Sequence, residues 1–595
     1  MAAQGPVGPV FEDGQARVVP AFEDPEQWIR EQLWVETEFD SDGDGEPDRV
    51  HVAVVRPRQT ETEGLKVPVI YESSPYYSGV SGDRDYLWDV RQEVGGEPPT
   101  RESQPPVDTR TRAGISDSHV DDWVPRGFAV VHSEAPGTGL SEGCPTIGGD
   151  PEVLAPKAVI DWLNGRARGF TAPDGGEEVV ADWSTGKVGM TGTSYNGTIP
   201  VAAATTGVDG LEAIIPVAPN TSYYRYYRSH GLVRHPGGWL GEDIDFLYDF
   251  VNSGDPERRE WCNARIRDGE MAAKDRVTGD YNDFWAGRDL LNRLGGIRAA
   301  TLMAHAFNDW NVMPEHSVLV YEALKERGVP AMVYFHQGGH GGSPPLEMMN
   351  RWFTRYLYGV ENGVEELPRA WIVREGDDRL SPTSYPDYPH PDATPVTLHP
   401  RPAGTGPAGL NGVGALMPAS AHPDRQPDAA DAETLVDNVS FAGDALAAAE
   451  WTDHRLLYAT PSLTRPVHLS GTVEVTVRLA ASKPAANLSV WLVSLPWQER
   501  GPITNNIITR GWADPQNRSS LRESEPLVPG EFYDVTFTLQ PDDQVIPAGQ
   551  RIGLMIFSSD RDFTLWPRPG TQLTVDLNGT SVTLPVVGGA EVIRE

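Results

Sequence analysis

The chain has 595 residues, two cysteines and a formal net charge of −36. At roughly 150 residues per domain, this length allows two to four domains. The negative charge argues against nucleic acid and anionic membranes as partners, because both would be repelled. Cys144 and Cys262 are too few for a disulfide-rich scaffold or a thiolate zinc cluster, and whether they form a single bridge stays open.

The sequence contains none of the apolar runs of roughly 18 residues that a membrane helix needs. Residues 1–20 lack the basic region and apolar core of a signal peptide. As the chain stands, we therefore expect a soluble cytoplasmic protein. A secreted protein that has lost its signal peptide is the alternative, and the oligomeric state stays open.

The first part of the chain has the pattern of an α/β domain, in which short apolar strands alternate with helical segments. After an N-terminal extension, residues 1–29, this pattern occupies residues 30–220 and 296–375. Most of its strands are nearly continuous apolar runs, which favour a parallel sheet buried on both faces. The predicted strands are residues 50–55, 67–72, 128–134, 212–218, 299–306 and 331–336.

Residues 221–295 interrupt the α/β pattern with many aromatic and charged residues and no clear strand, so we predict an inserted helical cap. Residues 380–432 are rich in Pro, Gly, Ala and Asp, which indicates a linker or extended crossing. Beyond it the hydrophobic period becomes two, with Gly, Pro and Asp at the turns. Residues 376–595 are therefore predicted to be a linker followed by a β-sandwich, with jelly-roll topology expected.

The segment "KVGMTGTSYNGT" (residues 187–198) predicts a strand, a tight turn and a helix, with Ser194 at the turn. Such a turn exposes its apical side chain, and nearby glycines remove Cβ atoms that would clash. The pattern is G-x-S-x-x-G, with Asn196 where the common nucleophile elbow has glycine. An ordinary glycine-rich turn with a helix-capping serine is the alternative.

An α/β-hydrolase triad runs Ser, then Asp or Glu, then His, each following a strand of the sheet. Asp309 follows the predicted strand 299–306, and His340 follows the strand 331–336. We predict that Asp309 orients His340, which takes the proton from Ser194 and returns it to the leaving group. Rival candidates are His305, His316 and His336 for the base, and Asp283 and Asp289 for the acid.

An oxyanion hole needs two hydrogen-bond donors near the nucleophile. The backbone N–H of Tyr195 is the expected first donor, since it follows the nucleophile. The segment "ESSPYYSG" (residues 72–79) offers the hydroxyl of Tyr76 or Tyr77 as the second. Simple packing of these tyrosines is the alternative.

The segment "DSDGDGEPDRVH" (residues 40–51) resembles a calcium loop, with Asp40, Asp42, Asp44 and Gly45 in register. Position 12 is His51, where the bidentate glutamate of such a loop belongs, and no helix pair flanks it. We therefore predict no metal site and interpret the segment as a polar hairpin turn.

Several segments resemble the X-prolyl dipeptidyl aminopeptidases, or Xaa-Pro dipeptidyl-peptidases. These serine peptidases are related to cocaine-esterase-like and α-amino-acid ester hydrolases. The resemblance covers most of the chain and depends on "GTSYNGT", "TSYYRYYRSHGLV", "GGWLGEDIDFL", "HAFNDWNVMPEHS" and "IITRGWADPQNRSSL". It implies an α/β-hydrolase catalytic domain with a helical cap and a C-terminal jelly roll.

The resemblance also implies roles for individual residues. Ser194, Asp309 and His340 match the family triad, and Tyr76 with the Tyr195 backbone matches its oxyanion donors. The pocket for the penultimate proline corresponds to Tyr223, Tyr226, Asn311 and Val312, with Tyr223 where some members have tryptophan. Glu242 stands where a carboxylate receives the free amino terminus, while acidic residues in the first turn of a helix are the alternative for Glu242 and Asp243.

The leading hypothesis is therefore a cofactor-free serine exopeptidase that releases Xaa-Pro dipeptides from peptides with a free N-terminus. An esterase or acylase of the related branches is the first alternative. A carbohydrate-binding protein with an inert hydrolase domain is the second, against which the ordered triad argues.

Overall fold

The computed structural model describes residues 7–105, 107, 114–406, 412–418, 431–498 and 506–594. A hairpin near the start precedes the strands of a large sheet. The strands up to the cap are β1 (Val10–Glu12), β2 (Gln15–Arg17), β3 (Ile29–Glu36), β4 (Arg49–Arg56), β5 (Val67–Ser74), β6 (Ala129–Glu134), β7 (Gly169–Phe170), β8 (Glu178–Val179), β9 (Ser184–Thr193) and β10 (Leu211–Val217). The helices among them are α1 (Gln59–Thr62), α2 (Val120–Trp123), α3 (Asp150–Leu163) and α4 (Tyr195–Thr205).

The cap follows β10 and consists of short helices and one two-stranded ribbon, which the sequence pattern did not predict. Its elements are α5 (Tyr223–Tyr227), β11 (Arg228–Ser229), β12 (Leu232–Val233), α6 (Ile244–Val251), α7 (Arg259–Cys262) and α8 (Asp283–Ala286). The chain then returns to the large sheet through β13 (Ala300–Ala306), α9 (Glu315–Glu326), β14 (Ala331–His336), α10 (Leu346–Tyr358), β15 (Ala370–Ile372) and β16 (Thr383–Tyr385).

The large sheet has the strand order β16-β15-β14-β13-β10-β9-β5-β6-β4-β3-β7-β8. Strands β6, β5, β9, β10, β13, β14 and β15 run parallel to one another. The predicted first strand differs, because β4 pairs antiparallel with both β6 and β3. Strand β4 is nevertheless almost wholly buried. Its apolar run therefore predicted correctly that the strand is buried, but could not tell whether it runs parallel or antiparallel to its neighbours.

The C-terminal part forms a second sheet-rich unit. Its elements are β17 (Ala393–Ala403), β18 (Gly414–Pro418), β19 (Ala432–Val436), α11 (Gly443–Ala448), β20 (Leu456–Ala459), β21 (Val467–Gly471), β22 (Glu474–Ala481), β23 (Leu488–Leu495), β24 (Ile507–Ala513), β25 (Tyr533–Thr538), β26 (Asp542–Ile546), β27 (Arg551–Phe557), β28 (Gln572–Val587) and α12 (Ala590–Arg594). The core strands alternate as predicted: β28 buries every second side chain along most of its length.

The segment predicted as a linker or extended crossing, residues 380–432, is not a plain linker, because it contains β16 at residues 383–385, β18 at residues 414–418 and the long strand β17 at residues 393–403. Its first half pairs with β28, and its second half pairs with β18. Pro395 lies in the half that pairs only with β28. Pro400 and Pro402 lie in the half that pairs only with β18. A proline lacks the N–H donor but is tolerated where a strand has a neighbour on only one side. Residues 407–411 and 419–430 of the predicted linker lie outside the described residues.

None of the helices in the described part of the chain has both the length and the apolar character that crossing a bilayer requires.

Candidate active site

Ser194 lies at the junction of β9 and α4, with φ 65° and ψ −124°. A non-glycine residue rarely adopts such a positive φ, and strained backbone of this kind occurs at functional sites. The turn depends on two glycines. A Cβ on Gly192 would lie 2.4 Å from the Asn196 carbonyl oxygen, and one on Gly197 would lie 2.5 Å from the Val217 carbonyl oxygen. The sequence therefore forces the serine side chain to the apex of the elbow.

Ser194, His340 and Asp309 form one hydrogen-bonded chain at the carboxyl ends of β9, β14 and β13. The Ser194 hydroxyl donates to Nε2 of His340 at 2.9 Å. Nδ1 of His340 donates to Oδ2 of Asp309 at 2.7 Å. Because these strands are parallel, the segments that follow them emerge at one edge of the sheet. The three predicted side chains therefore meet in the order that acyl transfer requires.

Asp309 is fully buried, and its second oxygen is held by the backbone. Oδ1 accepts the N–H groups of Asn311 and Val312, each at 3.0 Å. Burial acts to raise the pKa of Asp309, but hydrogen bonds and charge from His305 and His340 outweigh it and hold the pKa below its ordinary value. The acid is therefore ionised and fixed before any substrate binds.

The rival histidines make structural contacts, and none has a described hydrogen bond to Ser194. Nε2 of His305 donates to the Val312 carbonyl at 2.8 Å, which supports the loop of Asp309 from behind. Nδ1 of His316 accepts the Thr221 N–H at 3.1 Å. His336 bridges the loop of His340, because its Nε2 donates to the Gly341 carbonyl at 3.0 Å.

The rival acids lie in the cap and make their contacts away from the triad. Asp289 accepts the Leu291 N–H at 3.1 Å at the start of a 3-10 helix. Asp283 is in the first turn of α8 and contacts Arg522 at 3.4 Å. No described hydrogen bond joins either acid to a histidine of the site.

On the oxyanion side, the N–H of Tyr195 is the first of α4 and has no carbonyl four residues earlier in the helix to bond. The Tyr76 ring packs edge-on against the Tyr195 ring, with centroids 5.8 Å apart. Within the described residues the Tyr76 hydroxyl has no hydrogen-bond partner. Tyr77 is engaged elsewhere, because its hydroxyl donates to Glu72 at 2.9 Å.

The predicted proline-pocket residues contact Asp309, the residue after Ser194, or one another. The Tyr226 hydroxyl donates to Oδ1 of Asn311 at 2.7 Å, and Val312 bonds Asp309 through its N–H. The Tyr223 ring lies edge-on to the Tyr195 ring, with centroids 6.1 Å apart. Tyr223, Tyr226 and Val312 are buried, and Asn311 is half-buried. Through these contacts the two cap tyrosines reach the segment that follows Asp309 and the residue after Ser194.

Glu242 is a buried carboxylate that makes no ion pair with any described residue. The Tyr227 hydroxyl donates to its Oε1 at 2.8 Å. Burial raises the pKa of Glu242 to about 8. Tyr76 and Tyr226 lie near enough for the charge of Glu242 to add to the effect of burial in raising their pKa values. No described cation forms an ion pair with Glu242, although the charge of Arg84 acts to lower its pKa. With a pKa of about 8 the side chain is largely protonated at neutral pH, and a cation beside it would favour the ionised form.

Asp243, the alternative carboxylate, is in a different state. It contacts Arg228 at 3.2 Å and Arg276 at 2.6 Å, and it accepts the N–H of Ile244 at the start of α6. Burial acts to raise the pKa of Asp243, but the two guanidinium groups outweigh it and lower the pKa to about 2. Asp243 is therefore a neutralised helix cap.

Comparison with known proteins places the chain. Residues 42–342 match the model of the X-Pro dipeptidyl-peptidase (S15 family), and residues 362–591 match that of the X-Pro dipeptidyl-peptidase C-terminal non-catalytic domain. The chain belongs to the S15 family of X-Pro dipeptidyl-peptidases.

Related proteins are similar to this chain over nearly its whole length. A putative Xaa-Pro dipeptidyl-peptidase of Rhodopirellula baltica is 65% identical over 587 residues, which cover 98% of this chain and 92% of that protein. The Xaa-Pro dipeptidyl-peptidase of Lactobacillus delbrueckii subsp. lactis is 31% identical, over 95% of this chain and 78% of that protein. Among solved structures, an α-amino acid ester hydrolase shares the fold with a TM-score of 0.64, at 16% identity, over 96% of this chain and 98% of that one.

Two buried glutamates support the elbow of this S15 chain, and sequence reasoning did not single them out. Glu152 of α3 accepts the Tyr195 hydroxyl at 2.5 Å and the Ile147 N–H at 2.7 Å. Glu72, in β5, accepts Nδ2 of Asn196 at 3.0 Å. Carboxylates inside otherwise apolar segments were the available signal, because a buried charge needs partners. They anchor both side chains that follow Ser194.

The cysteines of this family member form a disulfide, Cys144–Cys262, with a Cα–Cα distance of 5.4 Å. It joins the loop after β6 to the cap helix α7. The 40–51 segment is the loop of the β3–β4 hairpin, as predicted. Carboxylate oxygens of Asp40, Asp42 and Asp48 lie within 4.8 Å of one another. Much of their hydrogen-bonding capacity is used locally: Asp40 accepts the N–H of Gly43, for example, and Asp42 pairs with Arg258 at 2.9 Å.

Proposed function

We propose that this protein is a serine exopeptidase that releases Xaa-Pro dipeptides from free peptide N-termini through an acyl-enzyme. The observation that carries the proposal is a complete Ser194–His340–Asp309 chain in a protein whose cap buries a glutamate, Glu242, that no described cation pairs. Family membership supports the same activity.

In the proposed mechanism His340 removes the proton as the Ser194 oxygen attacks the carbonyl carbon of the penultimate proline itself. Asp309 stabilises the resulting imidazolium and keeps Nε2 directed at the serine. The N–H of Tyr195 and the hydroxyl of Tyr76 donate to the developing oxyanion. His340 then protonates the leaving amine, and a water activated by the same imidazole hydrolyses the acyl-enzyme. No cofactor takes part in these steps.

Glu242 supplies the exopeptidase character. A peptide ammonium would complete the ion pair that no described protein group provides, and a charge-assisted hydrogen bond at a fixed distance from Ser194 measures the length of the released fragment. An N-acetylated peptide offers no charge there and leaves the carboxylate buried and unpaired. Tyr223, Tyr226, Asn311 and Val312 are proposed to line the pocket for the penultimate proline.

An esterase or acylase that acts on α-amino esters is the second candidate, because Glu242 would read an amine in that substrate as well. A substrate panel separates the two: Gly-Pro and Ala-Pro anilides, their N-acetylated forms, α-amino acid esters and aryl esters without an amine. We expect the free Xaa-Pro anilides to be cleaved with the highest kcat/KM and the acetylated forms to be cleaved poorly. Higher kcat/KM on amino esters would favour the second candidate, and equal rates with and without the acetyl group would contradict the role of Glu242.

The domain assignment is part of the proposal. Residues 30–220 and 296–375 form the α/β-hydrolase domain, and the edge strand β16 at residues 383–385 also belongs to it. Residues 221–295 form its cap, residues 1–29 the N-terminal extension, and the rest of residues 376–595 a linker and a unit with jelly-roll topology. The Cys144–Cys262 bridge favours the secreted alternative over a cytoplasmic location, because disulfides persist mainly in oxidising compartments. Thiol titration of the denatured natural protein tests this point, since two free thiols would contradict it.

A further inference from the structure

The C-terminal unit touches both segments that carry the acid and the base of the triad. Arg510 of β24 places its guanidinium carbon 3.8 Å from the ring centroid of Trp310, the residue after Asp309. Nε2 of Gln337, which lies between β14 and His340, donates to the Asp543 carbonyl at 2.6 Å. The unit that matches a non-catalytic domain therefore contacts the neighbours of two catalytic side chains.

Arg510 is an unusual residue for a structural contact. It is 4% exposed, and its Nε has no hydrogen-bond partner among the described residues. The rings of Trp491 and Phe563 complete its surroundings, each with its centroid 4.8 Å away. The guanidinium makes no ion pair with a described carboxylate. A buried charge without a counter-ion is costly, and the faces of aromatic rings are its main compensation here.

Asp560, the nearby acid, forms no ion pair with Arg510 and so does not take over the role of the aromatic rings. Oδ2 of Asp560 accepts the indole N–H groups of Trp491 and Trp512, each at 2.9 Å. The charge of Asp560 favours the protonated form of Arg510, although burial lowers the pKa of Arg510 to about 10. The guanidinium is therefore charged at neutral pH and lies against the Trp310 ring.

Trp310 is fixed from two sides. Its carbonyl accepts the Gly237 N–H of the cap at 2.7 Å, and its ring meets Arg510 of the C-terminal unit. We propose that Arg510 is a positioning residue of the reaction: by stacking on Trp310 it fixes the segment of Asp309 and so keeps His340 aligned with Ser194. The C-terminal unit would then complete the active site. This inference rests on the proposed triad.

The test replaces Arg510 by methionine, which keeps an unbranched apolar stem and removes the guanidinium. The readout is the second-order rate of Ser194 phosphonylation by a fluorophosphonate, followed across pH, together with kcat and KM on Ala-Pro anilide. We expect R510M to react about tenfold more slowly, the loss of a desolvated cation–π contact. We also expect kcat to fall more than KM rises. The acid limb of the pH–rate profile should move to lower pH, because an imidazolium with a weaker carboxylate contact is less stable.

Arg455 provides the matched control. It is also 4% exposed in the C-terminal unit, and it donates to the carbonyls of Leu446 and Ala449 rather than to anything near the triad. R455M should lower the melting temperature without moving the pH–rate profile. If R510M and R455M change the phosphonylation rate and the profile alike, Arg510 acts only through general stability and the proposal is wrong.

A double-mutant cycle with W310L tests the route. If Arg510 acts through Trp310, R510M should have little further effect in the W310L background. Full additivity of the two changes would overturn the route. Should R510M fail to fold, R510K carries the same test, because lysine keeps the charge but cannot lie flat on the ring. Wild-type rates and profile in folded R510K, together with wild-type values in W310L, would overturn the proposal.

Phosphonylation does not depend on the peptide substrate, so the two proposals fail separately. A wild-type protein that reacts with the fluorophosphonate but spares Xaa-Pro anilides contradicts the proposed substrate and leaves the test of Arg510 intact. A wild-type protein whose Ser194 does not react contradicts the triad and, with it, the role of Arg510.

Discussion

The two ends of the candidate site differ in how their charges are satisfied. At the sheet end, Ser194, His340 and Asp309 bond one another, and the backbone and His305 hold the remaining sides of Asp309. At the cap end, Glu242 has the Tyr227 hydroxyl and no cation among the described residues. The triad is thus hydrogen-bonded throughout in the free protein, whereas the glutamate proposed to bind the substrate amine has no described cation beside it.

Burying a glutamate with no cation costs free energy, and Glu242 lowers that cost by holding a proton up to about pH 8. Asp243, the next residue, is neutralised by Arg228 and Arg276. The cap therefore contains two buried arginines, but both pair with Asp243 and neither pairs with Glu242. We infer that the missing cation is supplied by the substrate. The two ends should therefore respond differently to substitution: changes at the sheet end affect every substrate, and changes at the cap end affect only substrates with an amine.

Substitution of the nucleophile should have the largest effect. Ser194→Ala removes the attacking oxygen and little else, so we expect kcat to fall by at least about 10⁴-fold on Xaa-Pro anilides and on aryl esters. An unchanged melting temperature is the control for folding. Turnover within about tenfold of wild type on either substrate would remove Ser194 from the mechanism.

Glu242→Gln should lower the activity on substrates with a free amine and leave the activity on substrates without one almost unchanged. It keeps the shape and deletes the charge, and the loss of a desolvated ion pair costs about 2–5 kcal/mol, or roughly 30- to 5,000-fold in kcat/KM. We expect that loss on free-amine Xaa-Pro anilides and almost no change on aryl esters without an amine. The ratio of the two activities is the measurement.

Two outcomes would contradict this prediction. If both activities fall together, Glu242 supports the structure of the cap. If neither falls, the amine is bound by another group, and Asp243 is a poor candidate because two arginines already neutralise it.

This contrast between Glu242 and Asp243 also marks what the sequence could predict. Local features were sufficient for the elbow, because Gly192, Ser194 and Gly197 stand together in one short stretch of the sequence. The apolar runs located the strands. Order along the chain was enough to choose Asp309 and His340, because parallel strands deliver the segments that follow them to one edge.

Features that depend on distant residues could not be predicted. Arg228 lies 15 positions before Asp243, and Arg276 lies 33 positions after it. No local sequence pattern therefore shows that Asp243 has cationic partners and Glu242 has none among the described residues. Residues 393–403 look like a linker because of their prolines, and only the one-sided pairing of β17 explains why they form a strand. The approach of Arg510 to Trp310 requires the packing of two domains.

Tyr227→Phe should give a smaller effect of the same kind. It removes the hydroxyl that holds Glu242, and a hydrogen bond to a charged group is worth about 1.5–3 kcal/mol. We expect kcat/KM to fall about tenfold on free-amine substrates, since another donor or water compensates in part, and to stay near wild type on aryl esters.

Tyr458 supplies a matched control for that change. It is also fully buried, and its hydroxyl donates to Glu433 at 2.7 Å in the C-terminal unit. Tyr458→Phe should cost stability and leave the ratio of the two activities unchanged. Equal ratios for Y227F and Y458F would mean that the bond to Glu242 plays no part in amine recognition.

The smallest expected effect is a pH-dependent difference in stability that needs no substrate. Burial raises the pKa of Glu242 from 4.5 to about 8, so between these values the folded protein binds a proton that the unfolded chain has lost. Folding stability from this group therefore falls as pH rises through that window. Glu242→Gln removes the titration, and the melting temperature of the variant relative to wild type should rise by a few degrees from about pH 5 to about pH 9.

Glu315 is the control, because Arg225 outweighs burial and lowers its pKa to about 2. Its stabilising contribution is fully present above 4.5, so Glu315→Gln should lower the melting temperature by the same amount at both pH values. A constant difference for E242Q as well would show that folding does not raise the pKa of Glu242, as expected if a cation already pairs with it, and the distinction between the two ends of the site would be lost.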